Sequence, residues 1–423
     1  MLKKDDKRNS SPLSHLRVLD LTQFLSGPYA TQILADLGAV VIKVESPEGD
    51  STRALPPHFV GTESAYYLSV NRNKRSLTID MKNETGRALV RDLAVTCDVI
   101  VENFRPGVLK RLGISYEDIA AEKPGIVWCS ISGFGQDGPY RDRPAYDMVV
   151  QALSGGMSLT GEADGPPVRS GIPLGDISAG MYGVIGILAA LTEREQTGHG
   201  KLIDVAMLDC QVAMLSYQAA YFLASNKVPN RQGRGHDSIP TYRAFTCGDG
   251  VDVVVTANTE RMWSGLCAAL GRPDLVNDER FRTNDSRYAN RRVLWPILEA
   301  CFQAKPSAAW VKALLAAEVP AAVVNTLDLS LSDPQVLHRN MVLAMTGPNG
   351  EQLRVAGNPI KFAGESEPSH VYPPLLGADN RSVLSEQLGL SEETIDQLEL
   401  KGAFGTKART SAAHQPKRFG AEH

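Results

Sequence analysis

LRVLDLTQFLSGPYATQILADLGAVVIKVE, residues 16–45, carries the reading of the fold. Its two ends, LRVLDLT (16–22) and VVIKVE (40–45), are rich in β-branched and long aliphatic residues, which suit a buried strand. Between them, PYATQILADLGA (28–39) spaces its apolar residues at helical intervals. It has Pro28 at the start, where no N–H is needed, and Gly38 at the end, where a left-handed residue closes a helix. Strand, helix and strand in this order make a βαβ unit.

The alternation continues outward with RSLTID (75–80), a helix over 84–96, DVIVEN (98–103), short helical pieces over 107–121 and GIVWCSISG (125–133). Such a pattern predicts an α/β fold with a Rossmann-like, mainly parallel sheet covered by helices on both faces. Ligands of such sheets gather beyond the carboxyl ends of the strands, here Thr22–Pro28, Glu45–Asp50, Asn103–Gly107 and Gly133–Pro139. Two long helices are predicted over 177–195 and 205–224, with the turn TGHGK (197–201) between them. After residue 225 the chain turns polar, and TYRAFTC and VDVVVTA then flank GDG (248–250) as a hairpin followed by helical segments over 259–317. The expected organisation is a tail over 1–14, a large α/β domain over 15–225 and a small α+β domain over 226–330. A return of the chain over 331–400 completes the large domain, and a disordered tail covers 401–423.

With 423 residues, 43% of them apolar, the chain can bury sizeable cores without staples. A net charge of −4 gives no global field toward nucleic acid or anionic membranes, so neither is expected as a partner and any anion must be captured locally. The six cysteines (97, 129, 210, 247, 267, 301) include no C-x-x-C pair, which fits reduced thiols. The first residues lack an apolar core, and their acidic pair argues against a transit peptide; a cytoplasmic location is expected, with a mitochondrial one as the alternative. The longest apolar run, 177–191, is shorter than the roughly 20 residues a membrane span needs and is read as a buried helix.

Gly133, Gly135 and Gly138 have G-x-G-x-x-G spacing, but Pro139, Arg141 and Pro144 follow where a dinucleotide fingerprint needs a helix. Arginines and lysines stand near several predicted loop ends: Arg72, Lys74 and Arg75, then Arg105, Arg111, Arg141, Arg143 and Arg169. One such group is a solvated loop; several on one rim make a phosphate site. There is no Walker A loop, H-E-x-x-H, G-x-S-x-G elbow or histidine pair at ligand spacing, so no metal is expected. PLGDISAGMYGVIGILAALTE (173–193) places one carboxylate, Asp176, at the head of a long apolar helix. From this stretch alone Asp176 reads first as a helix N-cap and second as a nucleophile or base.

Taken together, LDLTQFLSGPYATQILADLGAVVIKVE, VNRNKRSLTIDMK, VENFRPGVLKRLG, SISGFGQDGPYRDRPAYD and SGIPLGDISAGMYGVIGILAALTEREQTGHGK resemble the class III CoA-transferase family, from about residue 13 to 382. The resemblance implies a Rossmann-like large domain built from both ends of the chain, a small domain between, and two subunits interlocked like rings. It implies no permanently bound cofactor and a coenzyme A thioester as substrate. The family's G-D-x-x-x-G segment maps onto Gly175, Asp176 and Gly180, which makes Asp176 the nucleophile, held at a cap, with room beside Gly175, Ala179 and Gly180 for a thioester. Helix N–H groups would keep its carboxylate charged against an apolar wall. The implied CoA-binding residues are Leu25, Ser26, Ile79, Asp80, Met81, Lys82, Asn103, Phe104, Arg105, Arg111, Ala145, Tyr146 and Asp147.

The sequence departs from the formyl-CoA transferases of that family at Ser46, where they have arginine, and at Pro144, where they have lysine; Arg72, Lys74 or Arg75 is the expected substitute for the lost phosphate contacts. Their run of glycines is also missing, and QGRGHDSIP (232–240) stands in its place. The racemases of the family carry histidine where Tyr146 stands, and a phenol with a pKa of about 10 is a poor base at pH 7. Within the transferases, residues 59–76, 235–245 and 332–342 are most similar to the succinyl-CoA:glutarate branch, implying succinyl-CoA as donor and a dicarboxylate as acceptor. A racemase-type enzyme and a non-catalytic CoA-binding protein are the alternatives.

Overall fold

From the N-terminus the chain runs through β1 (Arg17–Leu21), α1 (Ser26–Asp36), β2 (Val40–Glu45), the two-residue strands β3 (Phe59–Val60) and β4 (Glu63–Ser64), α2 (Ala65–Ser69), β5 (Lys74–Thr78) and α3 (Glu84–Thr96). It continues with β6 (Val99–Glu102), α4 (Val108–Arg111), α5 (Tyr116–Glu122), β7 (Val127–Ser132), α6 (Asp147–Leu153), α7 (Gly156–Leu159), α8 (Leu174–Thr197), β8 (Leu202–Ala206) and α9 (Met207–Met214). The structure is a computed structural model and describes residues 11–405. Six of the strands form one parallel sheet in the order β5-β2-β1-β6-β7-β8.

Strand period decides which helix each residue meets. Val18, Val41, Val99 and Cys129 point to the face covered by α1, α8 and α9, through Leu34, Ile187 and Cys210. Their neighbours Leu19, Ile42, Ile100 and Trp128 point to the other face, covered by α3, α5 and the helix Asn380–Leu388, through Leu93, Ile119 and Val383. Both faces are dry, as a parallel sheet requires.

β8 is a strand where the sequence predicts the start of a helix at 205. LIDVA is only five residues long and carries one charge, Asp204, but Ile203 and Val205 add a last parallel edge to β7 before α9 begins. The return of the chain does not widen this sheet. β12 (Val342–Thr346) and β13 (Gln352–Ala356) pair only with each other, across the GPNG turn. The expected tails are partly ordered: Leu13 donates its N–H to the Leu37 carbonyl, and buried Ala403 accepts the N–H of Asp80. Residues 1–10 and 406–423 lie outside the described part.

The chain divides into two compact units, one of Met1–Leu153, Ile172–Met214 and Val342–His423, the other of Ser154–Gly171 and Leu215–Met341. The second unit therefore also takes in 154–171, 215–225 and 331–341, the last of which the sequence predicts in the large domain. Its β9 (Tyr242–Thr246), β10 (Asp252–Thr256) and β11 (Ala321–Val323) form an antiparallel sheet in the order β11-β10-β9 over a core that includes Trp263, Phe302 and Trp310.

Within the first unit, α1 and α8 cross at Gly180. A Cβ there would lie 2.7 Å from the Ser26 carbonyl oxygen and 3.1 Å from the Tyr29 ring. Gly180→Ala is expected to lower stability by about 1–3 kcal/mol by forcing the two backbones apart, with urea unfolding as the measurement; an unchanged midpoint would mean that the helices are not held this closely.

Candidate active site

The strand order reverses between β1 and β6, since the chain builds outward through β2 and β5 on one side and through β7 and β8 on the other. At such a switch point the loops leave in opposite directions and open a crevice at the carboxyl ends of the strands. A cavity of about 310 Å³ lies there, lined among others by Phe24, Ser26, Asn103, Phe104, Arg105, Tyr146 and Asp176.

The loop from β1 into α1 is fixed by buried charge. Asp20 accepts hydrogen bonds from the N–H and hydroxyl of Thr22 (2.9 and 2.5 Å), from Thr31 (2.6 Å) and from Lys74 Nζ (3.0 Å). Burial would raise its pKa, but Lys74, Lys43 and the two threonines outweigh it and hold the carboxyl at about 2. Lys43 donates to the Thr22 carbonyl (2.8 Å) and to Asp50 (3.1 Å), while Asn103 accepts the Gln23 N–H and donates to the Gln23 carbonyl (2.8 and 2.7 Å). Phe24 is held in the left-handed region (φ 63°) with its ring edge-on to Tyr146 at 5.9 Å. Asn103 is thus a clamp on this loop.

Asp176 does not cap its helix. α8 begins at Leu174, two residues earlier than Asp176, and Pro173 at the cap position offers no side-chain acceptor. The acceptor comes from Asp147 at the start of α6: its Oδ1 receives the Gly175 N–H at 2.8 Å, and its Oδ2 receives Gln151 Nε2 at 2.8 Å. A Cβ on Gly175 would sit 3.1 Å from Asp147 Oδ1, so this glycine makes room for a carboxylate, as Gly180 does for α1. Neither opens space for a thioester. Asp176, half-buried, is pushed up to about 7 by burial and then by Asp147; the Ser26 hydroxyl and N–H pull it down without offsetting them. Tyr66 on α2 is raised to about 12 by burial and by Asp176.

The other expected site residues separate into two groups. Ser26, Asn103, Phe104, Arg105, Ala145 and Tyr146 line the cavity with Asp176. Leu25 is buried at the N-cap of α1, Ile79 is core, Asp80 accepts the Lys82 N–H, Met81 packs beneath, and Arg111 ends α4; these do not line it. Arg72, Lys74 and Arg75 are engaged elsewhere: Arg72 with Asp36 (2.6 Å), Lys74 with Asp20 and Arg75 with Glu386 (2.6 Å). They are therefore structural cations. Arg141 and Arg143 line the cavity instead, Arg143 stacked over Tyr140 at 3.6 Å. Gly133 gives way to the Ala145 methyl, and Gly135 and Gly138 have positive φ, so the three spaced glycines serve packing and turns.

Two residues escaped the sequence reading. Met207 lines the cavity as the first residue of α9, where the chain leaves β8. Glu102, the last residue of β6, accepts the Phe104 N–H at 2.9 Å and is raised by burial to about 7.

Residues 13–380 match the family model described as CoA-transferase family III. The chain belongs to CoA-transferase family III. It is 41% identical over 402 residues to the succinyl-CoA:glutarate CoA-transferase of Mus musculus, covering 95% of this chain and 92% of the relative. It is 40% identical over 359 residues to the acetyl-CoA:oxalate CoA-transferase of Acetobacter aceti, covering 84% and 90%. Among solved structures, a CAIB/BAIF family protein from Brucella suis superposes with a TM-score of 0.80 at 38% identity, covering 90% of this chain and all of that one. The family-III chain is accordingly a transferase enzyme.

The raised acids have a consequence for stability. A carboxyl whose folded pKa exceeds its unfolded value stabilises the fold below the unfolded pKa and loses that contribution as pH rises through the folded one. For Asp176 this window runs from 3.8 to about 7. Asp176→Asn is expected to be more stable than the parent at pH 8, on the order of 1–3 kcal/mol, and the gap should close toward pH 4. Thermal melts at the two pH values check this, and a gap that is the same at both would refute it.

Proposed function

We propose that this enzyme moves CoA from succinyl-CoA to a free dicarboxylate such as glutarate, with Asp176 as the nucleophile. One observation carries the reading: within a CoA-transferase family III chain, a half-buried carboxylate faces a cavity rimmed by Arg105, Arg141 and Arg143. The likeness to the succinyl-CoA:glutarate CoA-transferase of Mus musculus supports the substrate pair. Asp176 attacks the thioester carbonyl, giving a mixed anhydride and CoA thiolate. The thiolate returns to form an aspartyl-CoA thioester and releases the first acid. The acceptor carboxylate then attacks that thioester, and a last thiolate attack frees acceptor-CoA. Each step exchanges acyl groups of similar reactivity, so no nucleotide is spent on activation.

Donors at the start of α1 suit the oxyanion, an interaction typically worth about 3–4 kcal/mol per donor. The guanidinium groups suit the CoA phosphates and the distal carboxylate of the acid. The same reading includes a homodimer with interlocked subunits. It is supported by the exposed apolar side chains Met148, Val149, Met181, Tyr182 and Ile185 on α6 and α8.

Incubation with succinyl-CoA, a quench with hydroxylamine and digestion should modify the peptide that contains Asp176. Asp176→Ala should abolish transfer while leaving CoA affinity within a few-fold. CoA-bound protein whose Asp176 peptide stays unmodified would exclude the relay, and a panel of carboxylates with succinyl-CoA as donor would identify the acceptor.

A further inference from the structure

The first turn of α8 holds two carboxylates, and only one of them faces the cavity. Asp176 is the third residue of the helix, whereas Asp147 reaches over from α6 to accept the N–H of Gly175, the residue beside the nucleophile. Its second oxygen is occupied by Gln151 one turn along α6, so both oxygens are directed. Gly175 has no side chain to keep the carboxylate away, and the ring of contacts closes on backbone.

Resting on Asp176 as the nucleophile, we propose that Asp147 is its positioning residue, fixing the first turn of α8 through Gly175 and driving Asp176 toward its acylated, uncharged state. In the first step an Asp176 oxygen bonds to the thioester carbonyl carbon. The C–S bond breaks, and its electron pair leaves on sulfur as the CoA thiolate. One negative charge thereby moves from a site beside Asp147 to the thiolate. Repulsion between the two carboxylates exists only before this transfer, so it raises the free enzyme and not the anhydride or the enzyme thioester. The rise of Asp176 to about 7 has Asp147 as its second cause after burial.

Other groups facing the pair are few. Tyr66 on α2 feels both carboxylates and Asp50. From α1, β7 and α9, which pack against α8, the cavity receives Ser26, Ser132 and Met207, which are uncharged, and Arg105, Arg141 and Arg143 stand around it as cations.

Two substitutions separate position from charge. Asp147→Asn keeps an oxygen for the Gly175 N–H and removes the charge. The acid limb of kcat/KM should then move down by about one pH unit, and the covalent fraction formed at equilibrium with succinyl-CoA should fall about tenfold. Asp147→Ala loses the acceptor as well, and its kcat should fall at least about tenfold below that of Asp147→Asn, with KM for succinyl-CoA within a few-fold. If Asp147→Ala does not fold, Gln151→Leu, which keeps the charge and loosens the carboxylate, should lower kcat with the acid limb unmoved. An Asp147→Asn profile and adduct yield equal to the parent's would overturn the charge role. Equal kcat for the two Asp147 variants, or an unchanged kcat for Gln151→Leu, would overturn the positioning role. Modification of Asp176 in the parent enzyme is read in the same experiment, so failure of the nucleophile itself is seen separately.

Discussion

The close crossing of α1 and α8 is the constraint on which the site depends. Two helices whose axes are held apart by side chains could not bring the Ser26 backbone within reach of Asp176. Gly180 removes the side chain at the crossing, and the Ser26 carbonyl takes the space. The cost of a glycine inside a helix, about 1 kcal/mol relative to alanine, is accepted where a backbone contact is needed. Both helices lie on the same face of the sheet and begin at its carboxyl edge, so their free N–H groups converge on one point. The fold thus supplies a cluster of backbone donors beside the cavity before any catalytic side chain is considered.

That spot is deliberately incomplete as a charge sink. A fully buried carboxylate with enough donors can titrate far below its ordinary value, as Asp20 does at about 2 with two lysines and two threonines around it. Asp176, a few residues from the same loop in space, has only Ser26 against burial and a second carboxylate, and it titrates near 7. The contrast separates two uses of a buried acid. Asp20 is stabilised in its charged form and fixes a loop; Asp176 is held with its charged form disfavoured, a state that suits the nucleophile proposed above, since a carboxylate too well solvated by the protein would be a poor one.

Much of the large sheet was legible in the sequence, because residues buried on both faces of a parallel sheet form continuous aliphatic runs. VVIKVE fixes β2 at 40–45, and the helix over 84–96 lies where its apolar spacing puts it. β8 was lost because LIDVA is a five-residue edge strand, half exposed, that runs without a break into the apolar start of α9. At the site, the loop ends and Asp176 could be found from strand ends and motif order. The partners of the charged residues could not. Asp147 is 29 residues from Asp176, and nothing in periodicity says that it closes on Gly175. Nor could spacing tell that Arg72 and Lys74 would be consumed by Asp36 and Asp20.

That last distinction explains how a chain of net charge −4 can be suited to a polyanion. Its cations fall into two populations. Lys43, Arg72 and Lys74 are buried, each with a carboxylate within about 3 Å, and they cross-link β1, β2, α1 and the start of β5. Removing either partner from such a pair leaves an uncompensated buried charge, typically a loss of about 3–5 kcal/mol, so these residues are tied to the fold. Arg105, Arg141 and Arg143 instead stand on loops at the carboxyl edge, with exposed or half-exposed guanidinium groups around the cavity. Exposed charges act over about 10 Å at ordinary ionic strength, so these guanidinium groups act on the cavity they line and not on the whole molecule. The anion capture proposed above would therefore be a property of one rim, independent of the net charge of the chain.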